Sequence, residues 1–145
     1  MKVKVKVPAT SANLGPGFDV AGLALTLYNT FTFELADQGL NITGCPEQFC
    51  NEENMTYQAF KQAAEICGLE YQGVNIECSG DVPYTRGLGS SSTCIVAGIV
   101  GAFAFKDKVE DRQEILELAT AIEGHPDNVA PAIFGGLTVS VMEED

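Results

Sequence analysis

Two glycines and three serines stand where a strand-like run meets a long apolar run, in the stretch Pro83-Tyr-Thr-Arg-Gly-Leu-Gly-Ser-Ser-Ser-Thr93. The first backbone N–H groups of a helix lack intrahelical partners and the helix dipole is positive there, so a phosphate meets several donors at once. Gly87 and Gly89 allow close approach because they have no Cβ atom. Ser90 and Ser91 add hydroxyls for a phosphate oxygen or its magnesium. The stretch predicts a phosphate site; the alternative is a turn that caps a buried helix.

Two common phosphate motifs do not fit this stretch. A Walker A loop needs a lysine after its last glycine, whereas Ser90 follows Gly89 here and no lysine lies between Lys61 and Lys106. A dinucleotide fingerprint needs a third glycine, which the stretch lacks. Because the net charge is −12, a polyphosphate would be held by backbone dipoles, magnesium and few cations.

A second stretch rich in Gly and Pro, residues 8–19, follows a lysine–valine alternation near the N-terminus. Its composition predicts an irregular loop rather than a helix or strand. Loops on a rigid scaffold often carry binding groups, so Asn13 and Asp19 are candidate ligand contacts. Turn hydrogen bonds made by the same two side chains are an equally weighted alternative.

Carboxylates on a third segment could complete a magnesium site. A capping-box-like start at Asp111 and an apolar stripe predict a helix in which Glu117 lies opposite that stripe. Periodicity alone favours a solvated Glu117. The alternative is that this face borders the phosphate cleft, because magnesium prefers carboxylate oxygens and substrate phosphates. Glu123 is the competing ligand.

The elements that must position these groups follow from local patterns. Strands are predicted at residues 3–7, 28–35, 40–43, 74–78 and 137–142, and the lysines of the first are expected to solvate one face and discourage edge pairing. A helix capped by Asn51 or Asn54 should end at Gly68, with Met55, Ala59, Ala63 and Ile66 on its apolar face. The apolar run up to Phe105 predicts a buried helix.

Three motifs in order resemble those of the GHMP small-molecule kinases. The Pro-x-x-x-Gly-Leu-Gly-Ser-Ser-Ser stretch at residues 83–92 resembles their second signature. The stretches 8–19 and 123–136 resemble homoserine kinases more than galactose or mevalonate kinases. The resemblance spans essentially all 145 residues.

The resemblance implies an amino-acid substrate pocket. Asn13 and Asp19 would line a homoserine site, since an aspartate can pair with an ammonium and an amide can bond a hydroxyl. His125, the only histidine, would lie near the same substrate. Asn128 would stand where sister kinases carry a catalytic aspartate, so catalysis would depend on alignment and charge neutralisation.

The resemblance also implies an ATP and Mg²⁺ site. Ser91 and Glu117 would share the magnesium and, with Asn128, form the catalytic set; Glu117 stands eight residues before His125, as expected for homoserine kinases. Asn54 would contact the base, or would only cap its helix. The nucleotide-binding residues would be Pro83, Arg86, Gly87, Leu88, Gly89, Ser90, Ser91, Ser92 and Asn54.

The implied fold is an α+β sandwich of the kind also seen in domain 2 of ribosomal protein S5. Full-length homoserine kinases are expected to be about twice this long, so residues 1–145 would be the N-terminal, ATP-binding domain without its C-terminal domain. The favoured activity is phosphorylation of L-homoserine, a step of threonine biosynthesis, with little turnover from this chain alone. A sister kinase for another small alcohol and a non-catalytic nucleotide-binding fragment are the alternatives.

Composition narrows the partners. The acidic balance argues against nucleic acid and anionic membranes. Five cysteines without a secretory signal indicate reduced thiols in the cytoplasm. The longest apolar run, residues 94–105, is too short to span a bilayer. A homodimer is left open.

Overall fold

The computed structural model describes residues 1–12, 22–80, 90–124 and 128–142. Five strands form one sheet in the order β3-β4-β2-β1-β5, in which β3 and β4 are parallel and the other neighbours are antiparallel. The strands are β1 (Lys2–Ala12), β2 (Gly22–Ala36), β3 (Gly39–Thr43), β4 (Gly73–Gly80) and β5 (Thr138–Met142). The α+β architecture predicted from the resemblance is confirmed.

The alternation at the N-terminus sets the two faces of the sheet. Val3, Val5 and Val7 are fully buried, and the described helices pack on their side. The lysines between them lie on the polar face, where Lys6 Nζ is 4.5 Å from the centre of the Tyr28 ring. The expectation that they protect an edge is wrong, because β1 lies between β2 and β5.

The strand β1 continues further than its sequence indicates. Thr10 and Ala12 still pair with β2, after a register shift between Pro8 and Thr10. Such a shift accommodates a proline, which cannot donate to the ladder. The predicted irregular loop is therefore wrong for residues 8–12. Its remaining part, with the candidate residues Asn13 and Asp19, lies outside the described residues.

The helix α1 (Met55–Cys67) begins and ends where the sequence predicts. The Asn54 side chain accepts from the backbone N–H of Tyr57 at 3.0 Å, and Gly68 has left-handed backbone angles. Its buried face differs from the prediction, since Met55 and Ile66 are 46% and 54% exposed. The face that packs inward holds Thr56, Ala59, Phe60, Ala63, Ala64 and Cys67.

Replacing Asn54 with alanine is expected to lower the free energy of unfolding by about 1 kcal/mol, because the Tyr57 N–H loses its partner. Asn54→Asp should keep the cap, since aspartate ranks with asparagine at this position. Urea denaturation of the two variants measures the difference. Equal stability of Asn54→Ala and the parent would contradict a stabilising cap.

Three more helices complete the described domain: α2 (Ser90–Phe105), α3 (Arg112–Glu123) and α4 (Val129–Phe134). The helix α2 is buried as predicted, and the Asp111 side chain caps α3 by accepting from the Glu114 N–H at 3.1 Å. The helix α4 was not predicted. Pro131 stands in its first turn, where a proline is tolerated because that N–H has no helical partner. Within the described residues, no helix is both long and apolar enough to cross a bilayer.

Candidate functional site

A cavity of about 590 Å³ lies where the first turns of α1 and α2 meet the middle of β2 and the end of β4. Its outer wall is the segment 44–54, which contains a short 3₁₀ helix at Glu47–Phe49. Ser91 and Cys94 contribute the α2 side. None of the described residues that line it is lysine or arginine. A bound polyanion would therefore need donors other than side-chain cations here.

Asn54 lies on the wall of this cavity as well as at the start of α1. Its amide oxygen accepts from Tyr57, and its amide nitrogen donates to the Phe49 carbonyl at 2.9 Å. The capping role that the sequence left open is confirmed. Contact with a nucleotide base stays a prediction, for which the position on the cavity wall is suitable.

The first turn of α2 is anchored to the sheet by a side-chain hydrogen bond. The Asn29 amide nitrogen donates to Thr93 Oγ1 at 3.0 Å, which ties the helix to β2. Ser92 and Thr93 are fully buried, whereas Ser91 is half-buried and reaches the cavity. The first backbone N–H groups of this turn have no partners within the helix, so they are available to a ligand. The predicted phosphate residues of that stretch, Pro83, Arg86, Gly87, Leu88 and Gly89, lie outside the described residues.

The structure places Ser91 beside Glu123 rather than beside Glu117. Ser91 Oγ donates to Glu123 Oε1 at 3.3 Å, and Ser92 Oγ lies 3.5 Å from the same oxygen. Glu117 is exposed and accepts from Gln113 Nε2 at 3.5 Å. Six residues of helix separate the two carboxylates by about 9 Å of rise and about 240° of rotation. The described geometry therefore favours Glu123 as the acid that acts with Ser91.

The group of Ser91 and Glu123 fits magnesium chemically. A hydroxyl and a carboxylate are hard oxygen donors, and magnesium proteins commonly supply one or two carboxylates while phosphates and water fill the remaining positions. Among the described residues, no cluster of three or more Asp, Glu, His or Cys side chains is arranged to hold a metal. A metal bound at this point would therefore depend on ligands from its substrate.

Asn128 is anchored to the end of β1. Thr10, which is fully buried, donates its hydroxyl to Asn128 Oδ1 at 2.8 Å across 118 residues of sequence. Asn128 also forms the residue before α4, without a side-chain capping bond. An amide at this position can orient a hydroxyl but is not a strong general base. His125, the neighbouring candidate, lies outside the described residues.

Four cysteines gather at the cavity, a feature that the sequence did not reveal because strands and helices separate them. Cys45, Cys78 and Cys94 line the cavity, and Cys50 Sγ lies 3.3 Å from Cys45 Sγ. Burial raises the pKa of Cys45 to about 11, with Cys50 as a second cause, and raises the pKa of Cys78 to about 12. Burial also raises the pKa of Cys94. All five cysteines are free thiols.

Alkylation of Cys45 is expected to accelerate about tenfold per pH unit from pH 7 to pH 10, because only the thiolate reacts. A pKa near 11 keeps most of the thiol protonated throughout this range, whereas a cysteine at the ordinary value of 9.0 would level off near pH 9. The groups that act on it are Cys50, Cys78 and Cys94. Peptide-resolved mass spectrometry measures the rate, with circular dichroism as the control for folding. A plateau below pH 9 would contradict the raised pKa.

Comparison with known proteins defines the class. The mixed sheet-and-helix fold is shared with solved structures that are named as homoserine kinases. The family model for the GHMP kinases N terminal domain matches residues 54–136. This chain belongs to that family.

Its relatives are named as homoserine kinases. The homoserine kinase of Clostridium beijerinckii is 53% identical over 144 residues, which is 99% of this chain and 48% of that protein. A structure from Listeria monocytogenes, assigned as a homoserine kinase, has a TM-score of 0.79 and 38% identity over 97% of this chain and 50% of its own. The structure of the homoserine kinase from Cytophaga hutchinsonii has a TM-score of 0.78 and 31% sequence identity. The match covers 95% of this chain and 48% of that one. The chain thus spans about half the length of the relatives it matches.

Proposed function

We propose that this chain is the nucleotide-binding half of a kinase that transfers a phosphoryl group from ATP to the hydroxyl of L-homoserine. The observation that carries the proposal is the 53% identity to a homoserine kinase over nearly the whole chain. A pocket wide enough for a nucleobase, next to the first turn of α2, supports it. Residues 1–145 would form the N-terminal domain, and a C-terminal half would complete the enzyme.

The nucleotide end of the reaction uses the cavity and the stretch before α2. The base would lie against the wall that holds Asn54, and the phosphates would meet the backbone donors of residues 87–92. Because no described cavity residue is cationic, backbone dipoles and Mg²⁺ would neutralise the phosphates. Bound magnesium would withdraw charge from the transferred phosphoryl group. Ser91 would hold it with an α3 glutamate, Glu123 by proximity or Glu117 by family resemblance.

The substrate end of the reaction would be built around Asn128. Its anchor to Thr10 fixes the amide, which could orient the homoserine hydroxyl without removing its proton. Phosphoryl transfer through a loose transition state depends mainly on alignment and charge stabilisation, so a strong base is not required. Asp19 would pair with the substrate ammonium, and Asn13 and His125 would lie near its hydroxyl or carboxylate.

A phosphate-transfer assay on the complete kinase tests the proposed function. The substrates are L-homoserine, mevalonate and galactose, supplied at equal concentration with MgATP. The expected result is the highest kcat/KM with homoserine. Faster transfer to another alcohol would indicate a sister kinase, and ATP binding without transfer to any alcohol would indicate a non-catalytic module. Either outcome would reject the proposal.

Asp19→Asn is expected to lower the affinity for homoserine and to leave the affinity for ATP unchanged. The reason is that the desolvated ammonium of the substrate would lose its counter-charge. The analogue of homoserine that lacks the amino group should be a poor substrate for the parent. In Asp19→Asn, the kcat/KM values for homoserine and for this analogue should lie closer together. Steady-state kinetics with both compounds measure this. Equal loss for the two compounds would mean that Asp19 holds its loop and not the ligand.

The cellular setting follows from the same proposal. Free thiols at all five cysteines agree with a cytoplasmic enzyme of amino-acid biosynthesis. The small-molecule substrate would be L-homoserine, with neither nucleic acid nor membrane as a partner. Sedimentation of the complete enzyme would decide between a monomer and a homodimer.

A further inference from the structure

Two thiols lie in contact on the outer wall of the cavity. Cys45 Sγ and Cys50 Sγ are 3.3 Å apart, at the two ends of a segment that contains the 3₁₀ helix Glu47–Phe49. A disulfide has an S–S distance of about 2.05 Å, so the sulfur atoms would need to approach by about 1.3 Å. Both residues are half-buried, so neither is sealed from solvent.

Cys78 also interacts with Cys45 through its thiol, but the short sulfur–sulfur contact, 3.3 Å, is the one between Cys45 and Cys50. Cys67 is buried at the last residue of α1, where its thiol donates to the Ala64 and Ala102 carbonyls at 3.8 and 3.9 Å. Cys78 and Cys94 line the cavity without a sulfur–sulfur hydrogen bond between them. All five cysteines lie within the described residues, so Cys45 and Cys50 are the pair that geometry selects.

The segment between the two cysteines is part of the cavity itself. Gln48 and Phe49 line the cavity together with Cys45. The Phe49 carbonyl accepts from the Asn54 amide, which also caps α1. A covalent link from Cys45 to Cys50 would therefore act on the wall that meets the ligand and on the start of α1.

We propose that Cys45 and Cys50 form a thiol–disulfide modification site that reacts with low-molecular-weight disulfides. One cysteine, as its thiolate, attacks a sulfur of the small disulfide; a mixed disulfide forms and one small thiolate leaves. The second cysteine then attacks the protein sulfur of that mixed disulfide and releases the second small thiolate. The protein loses two hydrogens as two electrons reduce the small disulfide to two thiols, so atoms and electrons balance.

The site is coupled to the cavity ligand. Because Cys45 lines the cavity, a ligand bound there covers its sulfur and slows the exchange. This part rests on the proposed function, in which the ligand is MgATP. At ten times its Kd about one molecule in eleven is free, so exchange should slow about tenfold.

The experiment treats the reduced chain with oxidised glutathione and follows products by mass spectrometry after the remaining thiols are alkylated. The expected product has lost two hydrogens and carries a Cys45–Cys50 link. Cys67→Ser, the matched control, should form it at the parent rate, whereas Cys50→Ser and Cys45→Ser should each stop at a mixed disulfide or not react. A stable mixed disulfide in the parent, or a link between other cysteines, would overturn the proposal.

Measurements without and with nucleotide test the modification site and the proposed function independently. Disulfide formation without nucleotide tests the modification site alone. Slower formation with MgATP, but not with magnesium alone, supports the coupling. Formation at the same rate with saturating MgATP would overturn the coupling while the modification site stands. Absence of ATP binding in a separate calorimetric titration would reject the proposed function instead. Circular dichroism of each variant, with Cys45→Ser as the alternative to Cys50→Ser, controls for folding.

Discussion

Glu123→Gln is expected to lower kcat of the complete kinase by roughly 10²–10³-fold, the scale of one lost electrostatic stabiliser. The reason is the position of its carboxylate, 3.3 Å from Ser91 Oγ at the first turn of α2. Loss of the negative charge should weaken the binding of magnesium. It should therefore raise the magnesium concentration that gives half-maximal activity. Ser91→Ala should shift the same magnesium dependence by a smaller factor, because it removes a neutral ligand. Initial rates over a magnesium titration measure both effects.

Glu117→Gln is the matched control for this prediction. It makes the same chemical change on the same helix, at an exposed side chain whose described partner is Gln113. If Glu123 acts with Ser91, Glu117→Gln should leave the magnesium dependence near that of the parent. A silent Glu123→Gln together with a damaging Glu117→Gln would contradict this assignment and would favour the glutamate that the family resemblance indicates.

Gly98→Val is expected to destabilise the folded domain by about 1–3 kcal/mol, the cost of overpacking a core. A Cβ atom at Gly98 would lie 2.3 Å from the Thr56 carbonyl oxygen and 2.8 Å from the Phe60 nitrogen. Both are backbone atoms of α1, so the two helices must separate. Valine has a helix propensity better than that of glycine by only about 0.3 kcal/mol, so this gain offsets little of the overpacking cost.

Thermal denaturation measures this effect, since each kcal/mol lowers Tm by roughly 2–8 °C in domains of this size range. Gln62→Val places the same side chain at an exposed position of α1 and controls for the helix propensity of valine. Gly101→Ala is an intermediate case, because its Cβ would meet the Phe33 ring at 2.7 Å rather than a backbone atom. A Gly98→Val variant as stable as Gln62→Val would contradict tight packing between α1 and α2.

Local signals predicted most of the elements. Asn54 and Gly68 mark the start and the end of α1 because each caps the helix without help from distant residues. The alternating valines of β1 require only a sheet with one buried face. The errors arose where a distant partner decides the outcome. The buried face of α1 is the one that meets α2, so Met55 and Ile66 remain exposed although both are apolar. The extension of β1 depends on pairing with β2.

In the candidate site too, residue types could be predicted from the sequence but contacts between distant residues could not. The glycine–serine stretch and Asn128 could be singled out from residue type and motif. The contact of Ser91 with Glu123 joins residues 32 apart, and that of Thr10 with Asn128 joins residues 118 apart. No sequence period encodes such pairs. The cysteines around the cavity escaped prediction for the same reason.

In the proposed function, MgATP occupies the cavity between α1, α2 and β4. A titration of the isotope-labelled chain with MgATP, followed by amide chemical shifts, tests this binding site. Saturable shifts are expected at Asn54, Gly80 and Ser91, which line the cavity, and none at Lys4 and Thr32 on the polar face of the sheet. Shifts confined to the polar face, or no saturable shift at cavity residues, would contradict it.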